Sequence, residues 1–111
     1  MTKKELTEAY KERQIIGGIF KITNSANHKF LLGNTADIKS FTNRYRFAQN
    51  FGKAPFPKLQ NDWEQLGSKA FGFEILEQLE KNPIQSDKDF LADLKILELM
   101  WLDKFNDQLQ Y

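Results

Sequence analysis

The chain contains 111 residues, 41% of them hydrophobic, which suffices for one domain whose core is built largely from the rings of ten Phe, three Tyr and two Trp. The absence of cysteine excludes disulfide scaffolds, thiolate zinc sites and cysteine nucleophiles, and the single histidine, His28, excludes a histidine-rich metal site. The formal net charge of +1 indicates no particular partner.

The chain begins with a segment rich in lysine and glutamate. Residues 3–14 place a few apolar side chains on one side, a pattern that predicts a modestly amphipathic helix, and Gly17-Gly18 would stop it. We therefore predict a helical extension over residues 1–16 and the domain proper over residues 17–111.

A β-hairpin is predicted next. Residues 18–23 are β-branched and aromatic, residues 24–27 have turn composition, and residues 29–33 form the returning strand. His28 follows the predicted turn, and nothing near it in the sequence would orient its ring for catalysis. We interpret it as a turn residue and not as a general base.

Two helices are predicted after the hairpin. Asp37 is a candidate N-cap for a helix that runs to about Phe51, because apolar side chains recur behind it at helical spacing. Pro57 suits the first turn of a second helix, which would end at Gly67.

The last part of the chain predicts a strand and a long helix. Residues 71–76 alternate as a third strand, and Ser86 with Asp89 resembles a capping box that opens a helix to about Phe105. Helix, hairpin, helix, helix, strand and helix in this order indicate an α+β domain with a small sheet covered by helices.

One carboxylate stands out on that last helix. Its predicted buried face, an arc of about 140°, includes Glu98 as the only polar residue. The apolar residues of the arc are Phe90, Leu91, Leu94, Leu97, Trp101, Leu102 and Phe105. A carboxylate there must be paired, hydrogen-bonded or metal-bound, so two interpretations stay open: a structural ion pair or snorkelling side chain, and a ligand for a divalent cation.

The charges are unevenly distributed. Residues 38–61, here called the basic segment, carry a net charge of +5 with no acidic residue, whereas residues 62–111 carry −6. The five basic residues are Lys39, Arg44, Arg46, Lys53 and Lys58. They indicate either a surface that contacts a polyanion such as DNA or an ordinary solvated helix.

No segment approaches the roughly 20 consecutive apolar residues of a membrane span, and the first residues have no apolar run after their lysines. Together with the absence of cysteine, this predicts a soluble cytoplasmic protein without a membrane partner. The sequence makes no prediction of the oligomeric state.

Several short motifs resemble the GIY-YIG endonuclease domain in order and spacing. They are Gly18-Ile19-Phe20, Leu31-Leu32-Gly33, the run from Lys58 to Gly67, residues 71–77 and residues 98–102. The resemblance covers about residues 17–105, and its most specific part is residues 58–77. It implies a small three-stranded antiparallel sheet flanked by helices, to which the N-terminal helix would be an addition.

The resemblance also implies phosphodiester hydrolysis. In the family a tyrosine of the first strand helps to activate water, a second tyrosine and a helix arginine handle the scissile phosphate, and a glutamate holds Mg²⁺ or Mn²⁺. In this sequence the two tyrosine positions hold Phe20 and Leu31, the arginine position holds Phe41, and Tyr45 stands one turn further. Only the glutamate is retained, as Glu98.

We therefore predict a catalytically degenerate GIY-YIG-like domain that acts as a module binding nucleic acid or protein. The alternative is a metal-dependent DNA endonuclease with rearranged residues, in which Arg44 reaches the phosphate and Tyr45 supplies a hydroxyl. A third hypothesis is a structural or oligomerising protein whose N-terminal helix docks a partner.

Overall fold

The computed structural model describes residues 14–111, so the helix predicted over residues 3–14 lies almost wholly outside the described residues. The elements are strand β1 (Ile16–Asn24), strand β2 (Phe30–Thr35), helix α1 (Ile38–Phe51), helix α2 (Gln60–Leu66), strand β3 (Phe71–Glu80) and helix α3 (Asp87–Lys104), with short 3₁₀ turns over Pro57–Leu59 and Ser68–Ala70. The strands form one antiparallel sheet in the order β2-β1-β3. The predicted α+β class with a three-stranded antiparallel sheet is confirmed.

The first strand of the hairpin is longer than predicted at both ends, and the second strand starts one residue later and ends two residues later than predicted. β1 begins at Ile16 and includes Asn24, and β2 begins at Phe30 and runs on to Thr35. The backbone of His28 has φ 63°, in the left-handed region that suits a turn, and the side chain of Asn27 accepts a hydrogen bond from the N–H of Lys29 at 2.9 Å. His28 is thus a turn residue, as predicted.

β3 extends four residues beyond its predicted end. Residues 77–80 are mostly polar, so the apolar alternation stops at Leu76, but the backbone continues to pair with the start of β1 and Glu80 lies opposite Ile16. Backbone pairing, not side-chain burial, extends this edge strand.

The helix caps follow the sequence closely. The side chain of Asp37 accepts a hydrogen bond from the N–H of Ser40 at 3.0 Å, and Gly52 ends α1 in the left-handed conformation. The second predicted helix divides in two, because a 3₁₀ turn over Pro57–Leu59 precedes α2.

The two faces of the sheet are covered by different helices. On one face, Phe41 and Tyr45 of α1 and Trp63 of α2 pack with Phe20 and Ile22 of β1 in the largest buried cluster. Since side chains alternate along a strand, Gly17 lies on the opposite face, which α3 covers. The closeness of that packing shows at Gly17 itself, where an added Cβ would lie 3.0 Å from the Cζ atom of Phe90.

The predicted buried face of α3 is only partly correct. Phe90 and Leu94 are fully buried, but Leu91 is half exposed and the remaining apolar residues of the arc are half-buried. The sheet has three strands, so it is too narrow to cover an arc of about 140°, and the side chains at the edges of the arc stay in contact with solvent. Within residues 14–111, no helix combines the length and the hydropathy needed to cross a membrane.

Candidate functional site

An open cleft of about 520 Å³ lies beside β2, between the hairpin and the connector that precedes α2. Its lining residues are Phe20, Leu31, Leu32, Gly33, Asn34, Phe56, Pro57, Lys58 and Glu98. The fold thus brings Phe20, Leu31 and Glu98, which are far apart in the sequence, to one cleft. It is the candidate functional site.

Phe20 forms the floor of this cleft. Its side chain is 1% exposed, and β-sheet register places it opposite Gly33. A Cβ atom at residue 33 would lie only 2.6 Å from the Cζ atom of Phe20, so the ring occupies the space that a side chain there would need. The ring is therefore packed under β2 and carries no hydroxyl toward the solvent.

Phe41 closes the floor from the side of α1. It is 7% exposed, and its ring stacks on that of Phe20 with the centroids 4.2 Å apart and the planes 18° apart. Phe56 and Phe73 extend the cluster, with centroids 5.8–6.0 Å from those of Phe20 and Phe41. Phe41, to which the motif resemblance would assign the arginine position, thus lies in a filled apolar patch.

Leu31 is half-buried on the other wall of the cleft. It pairs with Ile22 across the hairpin and packs against the same aromatic cluster. Phe20 and Leu31 thus give this part of the cleft a hydrocarbon surface, and Phe41 packs behind Phe20 without lining the cleft.

Tyr45 does not reach the cleft. It is 2% exposed, stacks on Phe73 at 4.7 Å between centroids, and meets Trp63 edge to face at 6.0 Å. Its hydroxyl has no hydrogen-bond partner among the described residues, and burial raises the pKa of Tyr45 to about 12. A hydroxyl in this position remains protonated at neutral pH and has no solvent path to a phosphate in the cleft.

Of the five basic residues of the basic segment, Lys58 alone lines the cleft. Arg44 is exposed on α1, where its guanidinium carbon lies 5.5 Å from the ring centroid of Phe41. Lys39, Arg46 and Lys53 are exposed on α1 or just after it and do not line the cleft. The segment therefore forms an exposed surface next to the cleft, with Lys58 at the boundary.

Both carboxylate oxygens of Glu98 accept hydrogen bonds. Asn34 donates to Oε1 from its Nδ2 atom at 3.2 Å, and Lys95 donates to Oε2 from its Nζ atom at 2.7 Å. The side chain of Glu98 is 13% exposed, whereas that of Lys95 is 61% exposed. The structure thus favours the ion-pair interpretation of this carboxylate.

The same contacts test the site for a metal. A hard divalent cation can be held by one carboxylate with waters as its other ligands, but both oxygens of Glu98 already accept hydrogen bonds from nitrogen donors. Residues 14–111 hold no group of three or more His, Cys, Asp or Glu, so an ion bound here would depend on Glu98 and would displace its contact with Lys95.

Sequence reasoning missed both partners of Glu98. Lys95 precedes Glu98 by three residues on the same helix, a spacing that signals a helical ion pair. Asn34 carries no such signal, because its place beside Glu98 depends on the hairpin register that pairs it with Ile19.

A buried polar network at the other end of β1 was also missed. Asn24, fully buried, donates to the Tyr111 hydroxyl at 2.8 Å, and that hydroxyl donates to Asp62 at 2.7 Å. The composition of residues 24–27 indicates only a turn, and Asp62 next to Trp63 resembles a solvated helix residue. Nothing in the sequence pattern connects these residues to Tyr111.

Comparison with known proteins identifies the fold. No protein-family model and no curated protein sequence matches the chain. A solved structure of the catalytic domain of the intron endonuclease I-TevI, in a mutant form, matches with a TM-score of 0.56 and 23% identity over 83% of this chain and 86% of that one. A second structure, of the catalytic domain of the homing endonuclease I-TevI, matches with a TM-score of 0.54 and 26% identity over 81% of this chain and 88% of that one.

I-TevI is a GIY-YIG homing endonuclease, and its catalytic domain has the same three-stranded antiparallel sheet with helices on its faces. The resemblance inferred from the motifs is thereby confirmed at the level of the fold. The chain has the fold of the GIY-YIG endonuclease catalytic domain.

Proposed function

We propose that this chain is a catalytically degenerate member of the GIY-YIG fold that binds nucleic acid through the exposed surface of the basic segment, residues 38–61. The observation that supports the proposal is the stacked pair of Phe20 and Phe41, the residues that stand where the motif resemblance would assign a tyrosine and an arginine. DNA is the first partner to test, because the matched structures belong to an endonuclease.

Loss of hydrolysis follows from the chemistry of the cleft. Removing one transition-state donor typically lowers a rate about 10²- to 10³-fold, and here three positions hold hydrocarbon side chains. An apolar ring cannot replace the charge and the planar hydrogen-bond fork of a guanidinium. The carboxylate that remains, Glu98, already accepts hydrogen bonds from Lys95 and Asn34.

Binding can survive this loss, because it depends on a different part of the molecule. The five basic residues of the segment are all exposed, and within residues 14–111 none of them forms a salt bridge with a described carboxylate. Their charges are available to phosphates, and contacts of that kind provide most of the sequence-independent affinity for DNA.

Hydrolysis is tested by incubating the protein with supercoiled plasmid in Mg²⁺ or Mn²⁺, beside the Glu98→Gln variant. We expect no nicking from either protein above the background of a preparation without protein. Nicking by the wild type that is lost in Glu98→Gln would support the alternative, a metal-dependent DNA endonuclease with rearranged residues.

Binding is tested by fluorescence anisotropy of labelled DNA over a range of salt concentrations. We expect log Kd to change with log salt concentration with a slope of several units, and Lys39→Ala, Arg44→Ala or Arg46→Ala each to flatten it by about one. Lys88→Ala on α3 is the matched control, since it removes the same charge from an exposed position in the acidic half and should leave the slope unchanged.

A protein partner is the second candidate, and one observation favours it. The outward side of α3 leaves Ile96, Leu99 and Met100 more than half exposed, which is a larger apolar surface than a solvated helix usually presents. An absence of salt-dependent DNA binding at low ionic strength would leave this candidate in place of the first.

A further inference from the structure

The outer side of α1 carries an exposed pair of aromatic rings. Phe47 and Phe51 are 64% and 66% exposed, and their rings are stacked with the centroids 4.2 Å apart and the planes 24° apart. They lie four residues apart, so they are neighbours on one face of the helix. Two adjacent phenyl rings in water are unfavourable unless a partner covers them.

The charges around these rings indicate the chemistry of that partner. α1 contains Lys39, Arg44 and Arg46 and no acidic residue. At about 100° per residue, Arg44 lies about 60° to one side of Phe47, and Arg46 lies about 100° to the other side. Arg44 thus lies beside the rings and Arg46 on the adjoining face of the helix, so the surface suits a ligand that is both anionic and flat.

A nucleic-acid strand combines phosphates with flat rings. Proteins that bind single strands use this combination, with basic side chains along the backbone and aromatic rings on which bases stack. In a duplex the faces of the bases are covered by their neighbours, so only unpaired bases can lie on an exposed phenyl ring.

We propose that Phe47 and Phe51 form a stacking platform for unpaired bases, and that the domain therefore binds single-stranded nucleic acid more tightly than duplex. This inference rests on the proposed function and extends it, because it names the form of nucleic acid that the basic segment accepts.

The platform is connected to the cleft through Arg44. The guanidinium of Arg44 lies over the ring of Phe41, and Phe41 stacks on Phe20 in the cleft floor. Phe41 precedes Phe47 by six residues, about 9 Å along the helix axis. A strand whose bases lie on the platform can thus keep its backbone near Arg44.

A second copy of the chain is a less suitable occupant of this face. Pairing two copies through Phe47 and Phe51 would bring two α1 helices together, each with three cations and no acid. Like charges at a desolvated interface repel, and no carboxylate on this helix can compensate them.

The experiment compares a labelled single strand of about 20 nucleotides with the duplex of the same sequence by fluorescence anisotropy at one ionic strength. The variants are the double substitutions Phe47→Ala with Phe51→Ala, Phe47→Leu with Phe51→Leu, and Phe47→Tyr with Phe51→Tyr. The matched control, Leu99→Ala with Met100→Ala, removes apolar surface of similar exposure from α3. Circular dichroism checks that each variant is folded.

We expect the wild type to favour the single strand and the Ala and Leu pairs to lose about tenfold or more of that affinity, with duplex binding unchanged. The Tyr pair should keep the single-strand affinity because it retains the ring faces. The α3 control should keep it because Phe47 and Phe51 are unchanged.

Other results would overturn the inference in distinguishable ways. Single-strand binding that survives the Ala pair would reject the platform and leave the proposed function intact. If the Ala pair lost duplex affinity as much as single-strand affinity, the surface would have a general role in binding. If light scattering showed that the wild type is a dimer and the Ala pair a monomer, the face would be assigned to self-association. A wild type that binds neither strand nor duplex would reject the proposed function itself.

Discussion

The ring of Phe20 can lie in the cleft floor only because residue 33 is a glycine. The ring of Phe20 fills the space above this glycine, and Phe41 and Phe56 hold the ring from other sides, so it cannot move away from an added methyl group. The apolar floor therefore depends on one residue without a side chain as much as on the rings themselves.

We expect Gly33→Ala to lower the free energy of unfolding by about 1–3 kcal/mol, because the new Cβ would start 2.6 Å from a clamped ring atom. Urea denaturation followed by Trp fluorescence measures the change. Gly72→Ala in β3 is the matched control, since an added Cβ there meets nothing within 4 Å. Equal stability of the two variants would contradict the packing described here.

The hydroxyls of Tyr45, which is buried, and of Tyr111, which is half-buried, are in opposite circumstances. The Tyr45 hydroxyl lacks a partner among the described residues, whereas that of Tyr111 is bonded to Asn24 and Asp62. We expect Tyr45→Phe to raise the free energy of unfolding at pH 7 by about 1 kcal/mol and Tyr111→Phe to lower it by about the same amount. Denaturant titrations of the two variants check the opposite signs, and a loss of stability in both would contradict this account.

The pKa of Tyr45 also sets a pH dependence. Burial raises it to about 12, above the ordinary value of about 10 in the unfolded chain, so the stability linked to this proton is complete below about pH 10 and is lost as the pH rises toward 12. The Tyr45→Phe variant has no such proton and keeps its stability over this interval. The free energy of unfolding of the variant should therefore exceed that of the wild type by a further amount of about 2–3 kcal/mol at pH 12. A constant difference from pH 9 to pH 12 would be the contrary result.

At the scale of elements, the sequence predicted the features that depend on contacts between residues close together in the chain. The caps at Asp37 and Ser86 were predicted from residue type and spacing, and both side chains accept the expected backbone hydrogen bonds at 3.0 and 3.1 Å. The end of β3 was not predictable in this way, because its last residues are held by pairing with β1 and not by a pattern of their own.

We expect Ser86→Ala to lower the free energy of unfolding by about 1 kcal/mol, since the N–H of Asp89 would lose its side-chain acceptor at the start of α3. Ser86→Thr keeps an oxygen at the same position and should retain most of that stability. Thermal unfolding of the three proteins gives the order. A Thr variant as unstable as the Ala variant would argue against the capping contact.

In the candidate site, too, the sequence predicted what depends on local spacing and not what depends on the tertiary fold. Glu98 was noticed from the sequence because an acid inside an apolar helical arc requires compensation, and the structure supplies it from Lys95 and Asn34. The nature of the compensation was not predictable, because Asn34 reaches Glu98 only after the hairpin register and the packing of α3 are fixed. Helical spacing placed Tyr45 on the apolar stripe of α1, but it could not show that its ring neighbours would include Phe73 and Trp63 from other elements.

At the scale of the whole molecule, the sheet separates two surfaces of different character. α1 and the connector after it carry the positive charge of the basic segment, and α3 on the opposite face belongs to the half of the chain with a net charge of −6. A polyanion would approach the α1 side and be repelled from the α3 side. In the proposed function, binding and hydrolysis are therefore separable, since the charges lie on the surface of α1, whereas Phe20 and Leu31 line the cleft.

The most direct test of that separation follows one labelled DNA substrate through both steps in a single sample with Mn²⁺ at low ionic strength. Anisotropy reports binding, and a denaturing gel of the same sample reports cleavage. We predict salt-dependent binding of DNA that remains full-length in both the wild type and Glu98→Gln. Cut DNA in the wild type sample and intact DNA in the Glu98→Gln sample would contradict the account.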